Sequence, residues 1–153
     1  MAQGNNIQIL NRKAKFEFEF VEEYVAGIQL FGAEVKSIRA GRANLADAFC
    51  YFKKGELYVK NFHISDYKYN TIQELHPMRE RKLLLKKREL RKLNKSVKEK
   101  GLTIVPYKVF INENGLVKVL IALAQGKKVH DKRQSIKERE SKREMARAKQ
   151  AKY

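Results

Sequence analysis

The sequence has a single cysteine, Cys50, so it cannot form an internal disulfide bond. Its three histidines, His63, His76 and His130, are scattered and form no metal-binding motif with that cysteine. The segment MAQGNNIQILNRKAKF lacks the apolar core of a secretion signal, and the longest apolar run, LVKVLIALA, is too short to span a bilayer. We therefore expect a protein of the reducing cytoplasm that has no metal or other cofactor and does not insert into a membrane.

The sequence also lacks the residue patterns of a catalytic site. Glu22, Glu23, Asp47 and Asp66 could in principle supply paired carboxylates or bind Mg²⁺ in an enzyme that acts on RNA. These acids stand singly or side by side in strand and turn contexts, without D-x-D spacing. The chain has no glycine-rich phosphate loop and no nucleophile with an adjacent base. The sequence therefore predicts no catalytic residues, and we expect the protein not to be an enzyme.

Basic residues outnumber acidic ones two to one, 34 against 17, which gives a formal charge of +17. Residues 79–100 carry 11 basic and 3 acidic residues, and residues 126–153 carry 11 and 4, so these two blocks supply +15 of the net charge. Each dense block can follow a run of phosphates and release its counterions, whereas lysines that serve only solubility would be scattered. Two solvated helix faces are the alternative interpretation, but the pattern favours a nucleic-acid partner.

Several segments have the patterns of β-strands. Phenylalanines alternate with glutamates over Lys15–Phe20, which predicts a strand with one buried face, and Tyr24–Gly32 reads as a second strand. Two hairpins are predicted, one around Lys54-Gly55 and one around the strong turn signal Asn114-Gly115. Pro106, in the first arm of the second hairpin, indicates an edge strand or a strand end.

Two segments have helical periodicity instead. A short helix is predicted in AEVKSIRAG, with Gly41 at its C-terminal stop, and an amphipathic helix over residues 87–100, with Gly101 as its cap. The run Leu83–Leu85 before the long helix is either its first turn or an extended lead-in. Six strands with one packed helix and one short helix predict a mainly β fold, an antiparallel barrel of the oligonucleotide-binding (OB) type.

The C-terminal segment differs from the rest of the chain, because residues 131–153 contain only two sizeable aliphatic side chains, Ile136 and Met145. No apolar stripe can form, so little offsets the entropy of ordering this segment. The chain of 153 residues is therefore predicted to divide into a barrel domain, residues 1–125, and a basic tail, residues 126–153. We expect the tail to be disordered, or a fluctuating helix, until a partner orders it.

Five segments, in this order and with these gaps, resemble the SmpB family of bacterial SsrA-binding proteins: NRKAKFEF, AGIQLFGAEVKSIRAGRANLAD, NFHIS, RKLLLKKREL and GKKVHDKRQSIKERE. The resemblance covers residues 11 to about 140. It implies a monomeric OB-type barrel that binds the tRNA-like domain of transfer-messenger RNA (tmRNA, or SsrA RNA) and enters stalled ribosomes for rescue and peptide tagging, known as trans-translation. Alanyl-tRNA synthetase and the elongation factor EF-Tu are implied as indirect partners.

The resemblance also implies roles for single residues of the barrel. Glu34, Leu84 and Lys86 fall where the family contacts the elbow of the tRNA-like domain. Other members have a histidine or asparagine at the position of Lys86, so a phosphate contact would replace a stacking or amide contact here. Glu34 has an alternative role, because a carboxylate at a helix start stabilises the helix dipole by about 0.3 to 1 kcal/mol. The basic residues implied beside them as phosphate partners are Lys36, Arg39 and Arg88.

In the family the tail folds as a helix in the decoding centre and the empty mRNA channel of the ribosome. His130 is implied to stack on a base of the small-subunit rRNA, which an imidazole can do against any purine face. A solvent-exposed linker histidine is the alternative. The other tail residues implied at this place are Asp131, Lys132, Arg133, Ile136, Lys137 and Arg139. A structural RNA-binding protein of the ribosome, equally basic and equally tailed, is the alternative function.

Overall fold

The computed structural model describes residues 7–66 and 75–127. In chain order the elements are β1 (Gln8–Leu10), α1 (Arg12–Glu17), β2 (Phe18–Ile28), α2 (Gly32–Arg39), β3 (Ala43–Asn44), β4 (Phe49–Lys53), β5 (Glu56–Lys60), β6 (His63–Ile64), β7 (Arg81–Leu84), α3 (Lys87–Lys100), β8 (Thr103–Ile111) and β9 (Val117–Gly126). The predicted tail, with His130 and the residues that follow it, lies outside the described residues apart from its first two positions.

Six of these strands close into an antiparallel barrel. Around the ring the order is β8, β4, β5, β7, β2 and β9, and β9 pairs again with β8. The short strand β1 adds to β8 outside the ring, and β3 pairs with β6 in a separate two-stranded sheet. The predicted fold class, a mainly β chain with a six-stranded barrel, is confirmed.

The first long strand begins later than predicted and is not divided in two. The sequence predicts strands over Lys15–Phe20 and Tyr24–Gly32, but α1 occupies the start of the first segment and β2 then runs unbroken to Ile28. Ala14 of α1 packs into a small cluster with Ala122 and its neighbours on β8 and β9. Because a helical turn buries Ala14 in that cluster, tertiary packing overrides the local alternation of phenylalanine and glutamate.

The sixth strand of the barrel is β7, in the segment that the sequence leaves open between helix and extended chain. It pairs with β5 on one side and with β2 on the other, where Leu84 lies opposite Gly27. A Cβ atom on Gly27 would lie 3.3 Å from Cβ of Leu84. The glycine therefore allows the backbone of β2 to lie close to the Leu84 side chain where the two strands pair.

Both predicted hairpins are present. Lys54 and Gly55 have φ angles of 51° and 77°, as a two-residue turn with two left-handed positions requires. The turn between β8 and β9 is longer: the Gly115 N–H donates to the Asn112 carbonyl at 3.0 Å, and Gly115 has a φ of 78°. The prediction that Pro106 marks an edge or a strand end is wrong. Pro106 lies inside β8 beside a bulge, where the pairing with β9 shifts register and a missing N–H is tolerated.

Both helices predicted from periodicity are confirmed. The short helix, α2, ends before Gly41, which has a φ of 74°. The long helix, α3, ends at Gly101 in the left-handed conformation, and its residues Leu90 and Leu93 are buried. Val97 packs against the same core. An apolar stripe at i, i+3 and i+7 therefore attaches α3 to the barrel and leaves its basic side outward.

The main core fills the barrel. Its fully enclosed side chains come from the strands, from α2 and α3 and from the connecting loops: Ile38, Leu45, Leu57, Val59, Phe62, Leu83, Leu93, Val109 and Ile121. A smaller cluster under α1 comprises Ala14, Val105, Ala122 and Ala124. Within residues 7–66 and 75–127, no helix has the length and apolar character needed to cross a membrane.

Candidate RNA-binding surface

The short helix α2 is fixed to the barrel through the carboxylate of Glu34. Glu34 is in the first turn of α2 and is only 3% exposed. Its Oε1 accepts a hydrogen bond of 2.9 Å from the backbone N–H of Phe31, just before the helix. This contact satisfies one of the N–H groups that a helix start leaves without an intrahelical partner.

Two arginines complete the surroundings of that carboxylate, Arg79 just before β7 and Arg81 as its first residue. Arg81 Nε donates to Glu34 Oε2 at 2.6 Å, and Arg79 Nε donates to the same oxygen at 3.0 Å. Arg79 Nη2 also donates to Oε1. Both carboxylate oxygens therefore accept hydrogen bonds from within the protein, and the arrangement joins residues 45 and 47 positions apart in the sequence.

Arg81 extends this network into the neighbouring loops. Its guanidinium donates to the carbonyl of Phe62 at 2.6 Å and to that of Pro77 at 3.1 Å, and the residue is 1% exposed. Burial lowers the pKa of the Arg81 guanidinium, and its bond to Glu34 opposes this effect. Burial alone would raise the pKa of Glu34, but hydrogen bonds from Arg79, Phe31 and Arg81 outweigh it and leave that pKa below its ordinary value. The carboxylate is therefore charged at neutral pH.

Beside α2 the barrel surface opens into an apolar groove of about 290 Å³. The groove is bordered by the end of β2, by α2, by the end of β7 and by the turn between β8 and β9. The side chains of Leu84 and Leu116 are 45% and 55% exposed, so the groove presents two large aliphatic side chains side by side in its lining. The described residues that line the groove are Gly27, Ile28, Leu30, Val35, Leu84, Gly115, Leu116, Val117 and Lys118, and none of them is acidic.

Basic side chains lie at the rim of the groove. Lys118 is part of its lining, and Arg39 of α2 donates from Nη2 to the Gly115 carbonyl at 3.1 Å, which attaches the hairpin turn to the helix. Lys36 is exposed on the same helix, while Lys86 and Arg88 are exposed at the start of α3, just after Leu84. The groove therefore combines an apolar floor with a positively charged border.

The structure brings together some of the predicted site residues. Leu84 lines the groove and Arg39 donates to the carbonyl of Gly115, which also lines it, whereas the carboxylate of Glu34 is buried against the two arginines. The prediction that Glu34 contacts RNA stays a prediction, as do the roles of the exposed residues Lys36, Lys86 and Arg88. The predicted tail contacts fall outside the described residues: His130, Asp131, Lys132, Arg133, Ile136, Lys137 and Arg139.

Four residues of this region were not singled out from the sequence: Arg79, Arg81, Leu116 and Lys118. The last two follow the Asn-Gly turn, so the available signal was a leucine directly after that turn and two residues before a lysine. Cys50 is buried, and burial raises the pKa of its thiol well above the ordinary value. In the part of the chain that the structure describes, no three His, Cys, Asp or Glu residues are grouped so that they could bind a metal ion.

Comparison with known proteins agrees with the resemblance seen in the sequence. The family model described as "SmpB protein" matches residues 8–151. The "SsrA-binding protein" of Phocaeicola vulgatus is 55% identical over 141 residues, which is 92% of this chain and 94% of that protein. The "SsrA-binding protein" of Thermosynechococcus vestitus is 51% identical over 148 residues, 95% of this chain and 97% of that protein.

Structural comparison gives the same result. A chain solved in the study "tmRNA-SmpB: a journey to the center of the bacterial ribosome" has a TM-score of 0.67 and 47% sequence identity to this one. The similarity covers 80% of this chain and 86% of the solved chain. Sequence and fold therefore match over most of the length of each protein, and the chain belongs to the SmpB family.

Proposed function

We propose that this protein binds the tRNA-like domain of tmRNA and carries it to stalled ribosomes, where the RNA directs rescue and peptide tagging. The observation that carries this proposal is the match, across most of the chain, to SsrA-binding proteins and to a chain from a tmRNA-SmpB study of the ribosome. The protein acts as an RNA-binding monomer in the bacterial cytoplasm and is not itself an enzyme. Alanyl-tRNA synthetase and EF-Tu meet it only through the RNA.

The groove supports the proposal because its apolar floor suits the bases of a folded RNA loop and its basic border suits the phosphates. Bases that have left their stack can pack on apolar side chains, and here Leu84 and Leu116 are exposed for such packing. The flanking phosphates carry the negative charge that Lys118 and Arg39 at the border attract. The tRNA elbow is built from such loops, and we assign it to this groove.

In this proposal Glu34 is a positioning residue, which affects RNA binding by holding α2 in place. Its carboxylate is 3% exposed and already accepts hydrogen bonds from Arg79, Arg81 and the backbone of Phe31. These bonds hold α2 against the start of β7 and the residues just before it. The helix then presents Lys36 and Arg39 toward the phosphates.

The basic tail has a separate task in the same proposal. Residues 126–153 have a net charge of +7, and the segment begins at Gly126, the last residue of β9. Inside the ribosome this segment would be surrounded by rRNA phosphates, which compensate its charge and favour its ordering. His130 and the basic residues after it would then make the contacts in the decoding centre and the mRNA channel.

The identity of the RNA that co-purifies with the full chain tests the proposal. We expect one small stable RNA, and ribosomes that carry much less than one copy of the protein each. Titration of the isolated tRNA-like domain at several salt concentrations then checks the contact. For each phosphate neutralised, the logarithm of the association constant falls by about 0.7 to 0.9 per tenfold rise in salt concentration. Stoichiometric presence on every small or large subunit, without a bound small RNA, would instead identify a structural ribosomal protein.

A further inference from the structure

A row of three aromatic side chains crosses the outer face of the barrel on β4 and β5. Phe49 and Tyr51 are two positions apart on β4, so their side chains lie on the same face of the sheet. Tyr51 is paired with Tyr58 on β5. Cys50, which separates the first two rings, and its partner Val59 are buried in the barrel core. The three rings therefore lie on the outside of the barrel.

The three rings contact one another and are open to solvent. The ring centres of Phe49 and Tyr51 are 6.1 Å apart, and those of Tyr51 and Tyr58 are 6.2 Å apart. Aromatic rings at such distances attract each other. The Tyr51 hydroxyl also donates to the Glu80 carboxylate, which fixes the middle ring. Phe49 is 42% exposed and the two tyrosines are partly exposed, so the row is ordered and accessible at the same time.

Lysines lie beside the row on three neighbouring strands. Lys60 is exposed on β5 and paired with Phe49. Lys53, at the end of β4, has its Nζ 5.6 Å from the centre of the Tyr58 ring. Lys82 is paired with Tyr58 from β7. Each end of the row therefore has a positive charge next to an aromatic ring.

Two carboxylates on this face are each paired with a lysine. An oxygen of Glu56 lies 3.6 Å from Lys82 Nζ, and an oxygen of Glu80 lies 3.6 Å from Lys53 Nζ. Lys60 adds a third ammonium group to the face. The face therefore has a positive balance, and an anionic ligand meets no unpaired acid among these residues.

The row continues the surface that forms the RNA groove. On β7 Arg81 and Leu83 are buried, so the alternating residues Lys82 and Leu84 both point outward. Leu84 lines the groove, and Lys82 is paired with Tyr58 of the row. The strand β4 is two strands away from β7, about 10 Å across the sheet. An RNA chain that leaves the groove over Lys82 therefore reaches the rings within a few nucleotides.

We propose that this row binds unpaired bases of the same RNA that occupies the groove. Every base has a face that can stack on an aromatic ring, and the phosphates between the bases attract the lysines. The Lys53 side chain is 57% exposed and is free to turn from the Tyr58 ring to a phosphate. A protein partner is disfavoured, because the centres of protein interfaces are poor in charged residues and five lie on this face. The inference rests on the proposed function and extends its RNA contact beyond the groove.

The probe for the row is a single-stranded hexanucleotide of alternating adenosine and cytidine, titrated into the full-length labelled protein and followed by NMR. The matched probe is a hexamer that has the same phosphates but no bases. We expect the hexanucleotide to shift the ring signals of Phe49 and Tyr58. It should bind at least about fivefold more tightly than the abasic hexamer, because only its bases can stack.

Phe49 provides the variants, because it is the most exposed ring of the row. Phe49→Leu keeps an apolar side chain but removes the stacking surface, so affinity for the hexanucleotide and for the tRNA-like domain should fall about five- to tenfold. Phe49→Trp should retain both affinities. The control is Phe110→Leu, because Phe110 is partly exposed on β8 with Lys108 Nζ 5.4 Å from its ring centre, and it should bind like the parent protein. The salt dependence of binding should be the same in Phe49→Leu as in the parent, since the phosphate contacts remain.

Three results would overturn the proposal. Equal binding of the two hexamers would show that charge alone attracts the RNA. Parent-like RNA affinity in Phe49→Leu would mean that the row only packs within the sheet. Weaker hexanucleotide binding with unchanged affinity for the tRNA-like domain would assign the row to a different RNA. A parent protein that does not bind the tRNA-like domain contradicts the proposed function instead, and the hexanucleotide titration then tests the row by itself.

Discussion

Glu34 shows how one side chain can determine the shape of a surface that it does not line. The carboxylate joins α2 to the start of β7 and the residues just before it by accepting hydrogen bonds from two arginines, one of them fully buried. Removing the acid would leave the charge of Arg81 in the interior without its counter-ion. Loss of one partner from a buried ion pair is costly even where the intact pair adds little net stability.

We therefore predict that Glu34→Ala lowers the free energy of unfolding by about 3 to 5 kcal/mol, the range measured for broken buried pairs. Urea denaturation followed by circular dichroism measures this change. The matched control is Glu56→Ala, whose partner Lys82 lies 3.6 Å away in a partly exposed pair. That control should lose less than about 1 kcal/mol. Equal losses in the two variants would contradict the structural role of Glu34.

The same carboxylate makes stability depend on pH. The pKa of Glu34 in the folded protein is below the ordinary value of 4.5, because hydrogen bonds from Arg79, Phe31 and Arg81 exceed the opposing effect of burial. A depressed pKa means that the unfolded chain takes up a proton first as the pH falls. The stabilisation is therefore complete above about pH 4.5 and decreases as the pH falls through the lower pKa of the folded state.

Measurements of unfolding free energy between pH 7 and pH 3 test this dependence. Glu22 also has a lowered pKa, chiefly because Lys92 Nζ donates to its carboxylate at 3.0 Å, so the parent protein alone does not isolate one carboxyl. We expect the difference between parent and Glu34→Gln to shrink as the pH falls below about 4.5. A constant difference across this range would show that ionisation of Glu34 contributes nothing.

Leu84 provides the corresponding test of the RNA groove. Leu84→Ala removes apolar surface that a base would cover, at a cost of about 1 kcal/mol for a partly buried leucine. The affinity for the tRNA-like domain should therefore fall about three- to tenfold. Val25 is 53% exposed on β2 and does not line the groove, so Val25→Ala should leave affinity unchanged. A filter-binding titration of both variants decides between a groove contact and a general effect of exposed apolar residues.

At the residue scale, charged residues can be counted from the sequence, but the sequence does not show which of their side chains face the solvent. Arg79 and Arg81 belong to the first basic block, residues 79–100, and were assigned with it to a nucleic-acid surface. In the structure both donate to Glu34. The pairing spans more than forty residues and depends on the closure of the barrel, so no local pattern reveals it.

At the scale of elements, α3 shows a boundary that the sequence does predict. Gly101 ends the helix with a φ of 64°, and a Cβ atom there would meet no other atom within 4 Å. The conformation alone thus requires glycine, and Gly101→Ala should cost about 1 kcal/mol of unfolding free energy. Gly32→Ala, at the start of α2, adds a methyl group to equally open space without a positive φ and should be neutral or slightly stabilising.

Thermal unfolding of these two glycine variants measures the prediction directly. If Gly101→Ala lowers the unfolding free energy and Gly32→Ala does not, the backbone conformation, and not the added methyl group, determines the destabilisation. Equal behaviour of the two variants would contradict it. The signal that fixes this boundary is local, which explains why residues 87–100 were predicted with the ends that α3 has in the structure.

The elements that sequence reasoning missed depend on contacts between distant parts of the chain. The alternation over Lys15–Phe20 is a genuine strand pattern, yet Ala14 packs with residues of β8 and β9 and the chain begins as a helix. The strand β7 has no alternation and is defined by partners on both sides, β5 and β2. Periodicity therefore predicts amphipathic elements well, but it does not predict elements that neighbouring strands impose.

At the scale of the whole molecule, we predict that the barrel is stable without the tail and that the two parts have different functions. The ring closes between β8 and β9, and among the described residues its core side chains all come from positions before Lys127. The last described residue still contacts the barrel, because the Lys127 N–H donates to the Glu17 carbonyl at 2.9 Å. A chain that ends after Lys127 therefore keeps the core contacts made between the described residues and this final hydrogen bond.

We predict that this shortened chain binds the tRNA-like domain with nearly the affinity of the full protein but does not support tagging on stalled ribosomes. The groove and its basic border lie within the barrel, so RNA capture needs no tail, whereas entry into the ribosome requires charge that only residues 128–153 supply. Binding titrations and a reconstituted tagging reaction measure the two steps separately. The full-length variant Lys132→Gln, Arg133→Gln keeps the tail's length, and it should lose tagging while retaining RNA affinity. Should RNA affinity fall steeply on truncation, capture and delivery are not divided between barrel and tail.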